Sequence, residues 1–269
     1  MSKFAEKYGP WALITGASAG IGAEYALRVA ERGVNVVLVA RRRNRLEELA
    51  ATIEDMYRVE ARVAPVDLTS RDFLHTLRPA IEDIDIGLVV NCAGFGSSGL
   101  FLDMDPGVQE AMLHLNCRAP ALLTHELGQN MRERGHGGII VVSSVNAFCA
   151  APGMANYNAT KAWDLLFAEA LADELGRYGV HVQALCPGAT LTEFQRVAGL
   201  DPKRFGPLRK LMFASPASVV AASLRALGGR TTVVPGFVNK IFVSSMRLLP
   251  RFVSRWLLGS LMRRFSATH

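Results

Sequence analysis

Thr15-Gly16-Ala17-Ser18-Ala19-Gly20-Ile21-Gly22 is the stretch that decides the fold. Ahead of it, Trp11 to Thr15 is a short apolar run. Behind it, Ile21 to Arg32 sets Ala23, Ala26, Leu27 and Ala30 on related faces at helical spacing. The order is therefore strand, glycine-rich turn, helix. Such a junction turns bare backbone N–H groups and the positive end of a helix toward one point, which suits a pyrophosphate. Gly16 permits the turn, Gly20 admits the ligand, and Gly22 lets the helix pack close to the strand. The pattern is TGxxxGxG rather than GxGxxG. A plain tight connection would need no ligand, but the position at the first strand-to-helix turn favours the nucleotide reading.

The same unit recurs along the chain. Val34 to Ala40 is a β-branched run without polar alternation, as a strand buried on both faces requires, and a helix follows through Leu46, Leu49, Ala50 and Ile53. Ala61 to Asp67 then reads as strand, Phe73 to Ile81 as helix, Gly87 to Asn91 as strand, and Val108 to Met131 as one long helix. Gly138 to Ser144, Tyr157 to Tyr178 and Val180 to Cys186 continue the alternation, and Thr231 to Val234 could add a seventh strand. Alternation of this kind predicts a single Rossmann-like, doubly wound parallel sheet of about seven strands with helices on both faces. We expect one catalytic domain over residues 1–240 and a C-terminal tail over 241–269.

Bulk properties agree with a large α/β domain. The 269 residues are 50% hydrophobic and 20% charged, ordinary values for a globular chain. Cys92, Cys117, Cys149 and Cys186 lie far apart in apolar surroundings and read as reduced thiols. Met1 to Trp11 has no apolar run of signal-peptide length, and no stretch of 18 apolar residues occurs, so the expectation is a cytoplasmic chain without a spanning helix. The net charge is +6, and the basic residues gather at Arg41 to Arg45 and in the last third. The compact Arg41, Arg42, Arg43 cluster suits one phosphate of a small ligand better than a polyanion, and no nucleic-acid motif accompanies it. The six histidines form no metal-binding cluster, and no GxSxG elbow accompanies Ser143, Ser144 and His181, so neither a metal nor hydrolase chemistry is expected.

Nucleotide choice is legible at the end of the second strand, Val39-Ala40-Arg41-Arg42. A carboxylate there would hold a ribose 2′-hydroxyl; two guanidiniums suit a 2′-phosphate, so NADP(H) is expected. Tyr157-Asn158-Ala159-Thr160-Lys161 places Tyr157 and Lys161 on one helix face, one turn apart. A phenol with a pKa of about 10 needs a neighbouring charge to act as a base near neutrality, and Lys161 supplies one.

From Gly9 to Phe194 the chain resembles the short-chain dehydrogenase/reductase family. The resemblance implies hydride transfer between NADP(H) and an alcohol or carbonyl, with a tetrad of Asn116, Ser144, Tyr157 and Lys161. Ser144 stands thirteen residues before Tyr157, and Ser143 beside it should point the other way. Lys161 would also bind the nicotinamide ribose, and Asn116 would help hold a water linked to Lys161. Asn91-Cys92-Ala93-Gly94 resembles the family's NNAG segment with Cys in place of its second Asn. Asp67-Leu68 resembles the pair at the adenine, and Pro187-Gly188-Ala189-Thr190 with Thr192 resembles the segment that closes over the nicotinamide. Gly16, Ser18, Ala19, Gly20, Ile21 and Gly22 complete the implied cofactor site, and a homodimer or homotetramer is implied.

After Pro187-Gly188 the resemblance implies a substrate lid, here about 189–213, with Leu191, Phe194, Val197, Leu200, Phe205, Leu208 and Leu211. With Phe95, Phe148, Ala150, Ala151 and Met154 it suits a lipid-like, steroid-like or other bulky hydrophobic substrate. Arg247 to Phe265 alternates apolar pairs with arginines at a four-residue period, the pattern of an amphipathic basic helix. Such a helix fits an anionic membrane surface or a partner subunit, with packing on its own domain as the remaining alternative. The rival functional reading is a catalytically silent NADPH-binding regulator, for which Tyr157 would be superfluous.

Overall fold

The computed structural model describes residues 2–194, 198 and 213–266, with side chains up to residue 260. Seven strands among the described residues form one parallel sheet in the order β3-β2-β1-β4-β5-β6-β7. They are β1 Trp11–Thr15, β2 Asn35–Ala40, β3 Ala61–Pro65, β4 Ile86–Asn91, β5 Gly137–Val142, β6 Val180–Leu185 and β7 Thr232–Val233. The central strands β1, β4 and β5 are buried along their whole length, as the unbroken apolar runs demand.

Alternation of side chains across these strands feeds two cores. On one face Ala12 and Ile14 of β1 pack with α2 (Gly20–Ala30), α3 (Arg43–Tyr57) and α8 (Pro216–Ala226). On the other, Leu13 of β1 and Val89 of β4 pack with α4 (Phe73–Leu77), α6 (Ala119–Arg134) and α7 (Ala155–Gly176). Tyr25 of α2 donates to Ser223 of α8, which donates to Gln183 of β6, so a buried polar chain fixes α2 against the sheet. Strand order reverses between β1 and β4, and the carboxyl ends of those two strands open the crevice in which such sheets hold their ligands.

Two sequence expectations are corrected. Val108 to Met131 is not one regular helix: α5 (Pro106–Leu113) passes through a π turn, His114–Arg118, before α6 begins. Pro120 cannot donate the N–H that an α-helix would return to the Asn116 carbonyl, so the regular ladder gives way there. The tail is likewise two helices, α9 (Phe237–Leu248) and α10 (Arg251–Ser266), parted at Leu249-Pro250 because the residue before a proline is driven out of the helical region. α9 runs across position 240. A short N-terminal helix, α1 (Lys3–Tyr8), was not read from the sequence.

Candidate active site

The glycine-rich turn lies at the mouth of the crevice. Gly16 has φ +69°, and a Cβ there would come within 3.0 Å of Ala93. A Cβ on Gly22 would strike the Gly16 carbonyl. Both positions thus require glycine, one for conformation and one for approach. α2 starts at Gly20 with no side-chain cap and no acidic residue in its first turn, so its N–H groups remain available to an anion. Thr15 ties the two strand ends together: its hydroxyl accepts from the N–H groups of Cys92 and Ala93, each at 2.9 Å, and donates to the Val90 carbonyl.

Across the crevice, α7 presents Tyr157 and Lys161, both buried. Lys161 Nζ donates to Asp164 Oδ2 at 2.7 Å and to the Val142 carbonyl at 2.9 Å. Ser144 follows β5, accepts from Asn146 N–H, and stands near enough to the Tyr157 phenol to lower its pKa. Ser143 points away, donating to the Lys161 carbonyl at 2.7 Å. Asn116, in the π turn, donates to the Phe95 carbonyl and Thr160 Oγ1 and accepts from Phe95 N–H. A Cβ on Gly94 would lie 3.1 Å from Asn116 Oδ1 and 3.5 Å from Lys161 Nζ, so that glycine keeps open a space bordered by both groups.

The electrostatics of this cluster are strongly coupled. Burial raises the Tyr157 phenol; Lys161 and the nearby Ser144 hydroxyl pull it down, Asp164 pushes it up, and the net direction is upward. The positive neighbour expected from sequence is present, but burial outweighs it. Burial opposes the Lys161 ammonium, yet the Asp164 carboxylate together with the Tyr157 and Cys92 groups outweighs that and holds its pKa above the ordinary value. Burial lifts the Asp164 carboxyl to about 6 even against the lysine.

The nucleotide-side residues fall on the opposite rim. Arg41 is exposed and, although burial works the other way, hydrogen bonds from Thr69 and the Arg41 charge hold the Asp67 carboxyl below its usual range. Arg42 donates to Ser18 Oγ at 3.0 Å and pairs with Glu193 at 2.8 Å. Leu68 is buried in the core, and Asn91 donates to Thr124 of α6. Pro187 accepts from Val145 N–H, and Thr190 donates to the Gly188 carbonyl and bridges to Ala214. Thr192 sits over the cradle, 2.9 Å from where a Cβ of Gly20 would be. Ser18, Ala19 and Ile21 complete that turn.

An apolar wall surrounds Tyr157. Met112 and Met154 pack on it with Phe95 and Phe194, the last with ring centroids 5.4 Å apart. Ala151 is buried and Phe148 lies under the Arg247 guanidinium at 4.8 Å, whereas Ala150 is exposed. Val197, Leu200, Phe205, Leu208 and Leu211 lie outside the described residues. Sequence reasoning missed Asp164, Met112, Glu193 and the role of Thr15. Asp164 is three residues beyond Lys161 and Met112 four before Asn116, spacings that share a helix face and could have found them. Glu193 carries no such signal.

The described residues hold no cluster suited to a metal ion. The cradle, by contrast, fits a dinucleotide: glycines required by approach, open N–H groups, and paired arginines at the second strand's end.

Comparison with known proteins agrees with this geometry. The family model for short chain dehydrogenase matches residues 10–202. A 7β-hydroxysteroid dehydrogenase of Clostridium sardiniense is 32% identical over 237 residues, 88% of this chain and 89% of that protein. A human protein named inactive hydroxysteroid dehydrogenase-like protein 1 is 33% identical over 185 residues, 68% of this chain and 56% of that protein. A solved structure of a 7β-hydroxysteroid dehydrogenase superposes with a TM-score of 0.87 at 29% identity, covering 96% of this chain and 99% of that one. The chain belongs to the short-chain dehydrogenase family.

Proposed function

We propose that this chain is an NADP-dependent oxidoreductase that interconverts a bulky hydrophobic secondary alcohol, of steroid or similar size, and its ketone. One observation carries the reading: Ser144, Tyr157 and Lys161 meet at the end of a dinucleotide cradle, beneath an apolar wall of Met112, Met154, Phe95 and Phe194. Residues 16–22 with Ala93 and Gly94 would hold the diphosphate. Arg41 and Arg42 would hold the 2′-phosphate, Asp67 and Leu68 the adenine, and Asn91, Pro187, Gly188, Thr190 and Thr192 the nicotinamide end. The bound cofactor would supply or accept the hydride at the substrate carbon.

The protein's own part is proton handling. In reduction Ser144 donates a hydrogen bond to the carbonyl oxygen and the Tyr157 hydroxyl delivers its proton to that oxygen. In oxidation the phenolate takes the proton back. The Lys161 ammonium partly counters the burial that opposes the phenolate, and Asn116 borders the same space. Asp164 is a positioning residue: it holds the ammonium against the Val142 carbonyl and tempers the charge felt by Tyr157. We assign residues 189–213 as the lid and expect a homodimer or homotetramer.

The test is NADPH consumption against a panel of ketosteroids, 7-ketosteroids among them, and other bulky ketones. Turnover with NADPH favoured over NADH is expected. Tight NADPH binding without turnover of any ketone would instead support the silent regulator, a reading favoured by the name of the human relative and opposed by the presence of Ser144, Tyr157 and Lys161 together.

A further inference from the structure

The chain's charge is divided unevenly. Twelve of its thirty Lys and Arg residues, and none of its 24 Asp and Glu, lie beyond Asp201, so the preceding residues carry a net charge of −6 while the whole chain is +6. Within that basic quarter, α9 and α10 expose large apolar side chains. Phe237 is 77% exposed, Leu248 85%, Phe252 72% and Trp256 66%. A helix that folds back only onto its own domain would bury these.

The spacing is ordered. Phe237, Ile241 and Leu248 fall on one stripe of α9, with Lys240 and Arg247 beside it; Phe252 and Trp256 form an i, i+4 row on α10, flanked by Arg251 and Arg255 at the same interval. Arg247 is partly engaged, 3.8 Å from Glu169 and stacked over Phe148. Aromatic and aliphatic side chains bordered by arginine are what the headgroup boundary of a bilayer accommodates. No helix among the described residues is long and apolar enough to cross a membrane. A second copy seated symmetrically on the same face would bring these like charges together, whereas an anionic lipid surface complements all of them.

We propose that α9 and α10 dock this protein onto an anionic lipid bilayer, their apolar stripes entering the headgroup region and their lysine and arginine side chains meeting lipid phosphate and carboxylate groups. The docking goes beyond the proposed reaction and does not depend on it, since the Tyr157→Phe protein should dock equally well.

Flotation of the full-length protein with vesicles tests it. Binding is expected to phosphatidylcholine–phosphatidylserine vesicles at roughly 7:3 and not to phosphatidylcholine alone, with release at about 0.5 M salt. The Lys240→Gln/Arg251→Gln/Arg255→Gln protein should bind roughly a hundredfold more weakly, at about fivefold per charge. Phe252→Ser/Trp256→Ser should also lose binding, and both variants should melt like the parent by circular dichroism because they alter exposed side chains. The proposal is overturned if the parent stays in the aqueous fraction, or floats equally with neutral vesicles. It is also overturned if the charge variant, folded, floats undiminished. Conversion of a dimer to a monomer by Phe252→Ser/Trp256→Ser, with no vesicle binding by the parent, would assign the face to a second copy instead.

Discussion

The two walls of the crevice are built from different material. The nucleotide wall is main chain: the turn between β1 and α2, whose glycines are demanded by a positive φ at Gly16 and by the approach of Gly22 to the Gly16 carbonyl. The wall proposed to face the substrate is side chain: Met112, Met154, Phe95 and Phe194, drawn from four separate segments around Tyr157. A wall of backbone tolerates almost no substitution, because a single Cβ fills it. A wall of flexible apolar side chains can be exchanged one residue at a time, and methionine adapts to irregular shapes. One sequence motif can therefore be shared by enzymes whose substrates differ.

The sharpest experiments separate the walls at the residue where they meet. Tyr157→Phe should lower kcat by about 10³-fold or more, with NADPH affinity unchanged by fluorescence titration. Near-normal turnover would remove Tyr157 from the chemistry. Gly22→Ala attacks the main-chain wall alone, and should weaken NADPH binding by about 10²-fold while costing about 1–3 kcal/mol of stability in a denaturant melt. An unaffected cofactor KM would mean the turn is not the cradle. Arg41→Asp should shift the NADPH-to-NADH ratio of kcat/KM by about 10- to 100-fold toward NADH, the scale of a lost charge-assisted phosphate contact. Met154→Ala touches only the substrate wall: KM for a bulky ketone should rise roughly tenfold with the cofactor KM unchanged. If both constants move together, the walls are not independent.

The smallest effect concerns Asp164. Its carboxylate raises the Tyr157 phenol, so Asp164→Asn removes an opposing charge and lowers it. The half-maximal pH for alcohol oxidation should therefore move down. An unmoved profile with reduced stability would leave Asp164 a purely structural partner of Lys161.

The same contrast explains what could be read from the sequence. The parallel sheet was legible because its strands are unbroken β-branched and apolar runs, and the cradle was legible because its glycines sit at fixed intervals. Tyr157, Lys161 and Ser144 were placed on their elements by spacing, and the structure brings them together. The substrate wall was legible only in part. Phe95 and Met154 were named, but Met112 was hidden in a helix that reads as ordinary core. The π turn that holds Asn116 escaped notice although Pro120 announces it. The division of the tail at Pro250 was passed over for a continuous four-residue period. Glu193, which meets Arg42 from 151 residues away, had no local signature at all.

If Arg42 holds the 2′-phosphate as proposed, that last pair would give cofactor capture the character of ion exchange. The Arg42 guanidinium is already satisfied by the Ser18 hydroxyl and the Glu193 carboxylate, so an arriving 2′-phosphate would displace one anion rather than meet a bare cation. The net electrostatic gain would then be the difference between two similar contacts, and its dependence on ionic strength correspondingly flat. The same carboxylate would stand ready to retake the arginine as the oxidised or reduced nucleotide departs, so that release is assisted from within the chain.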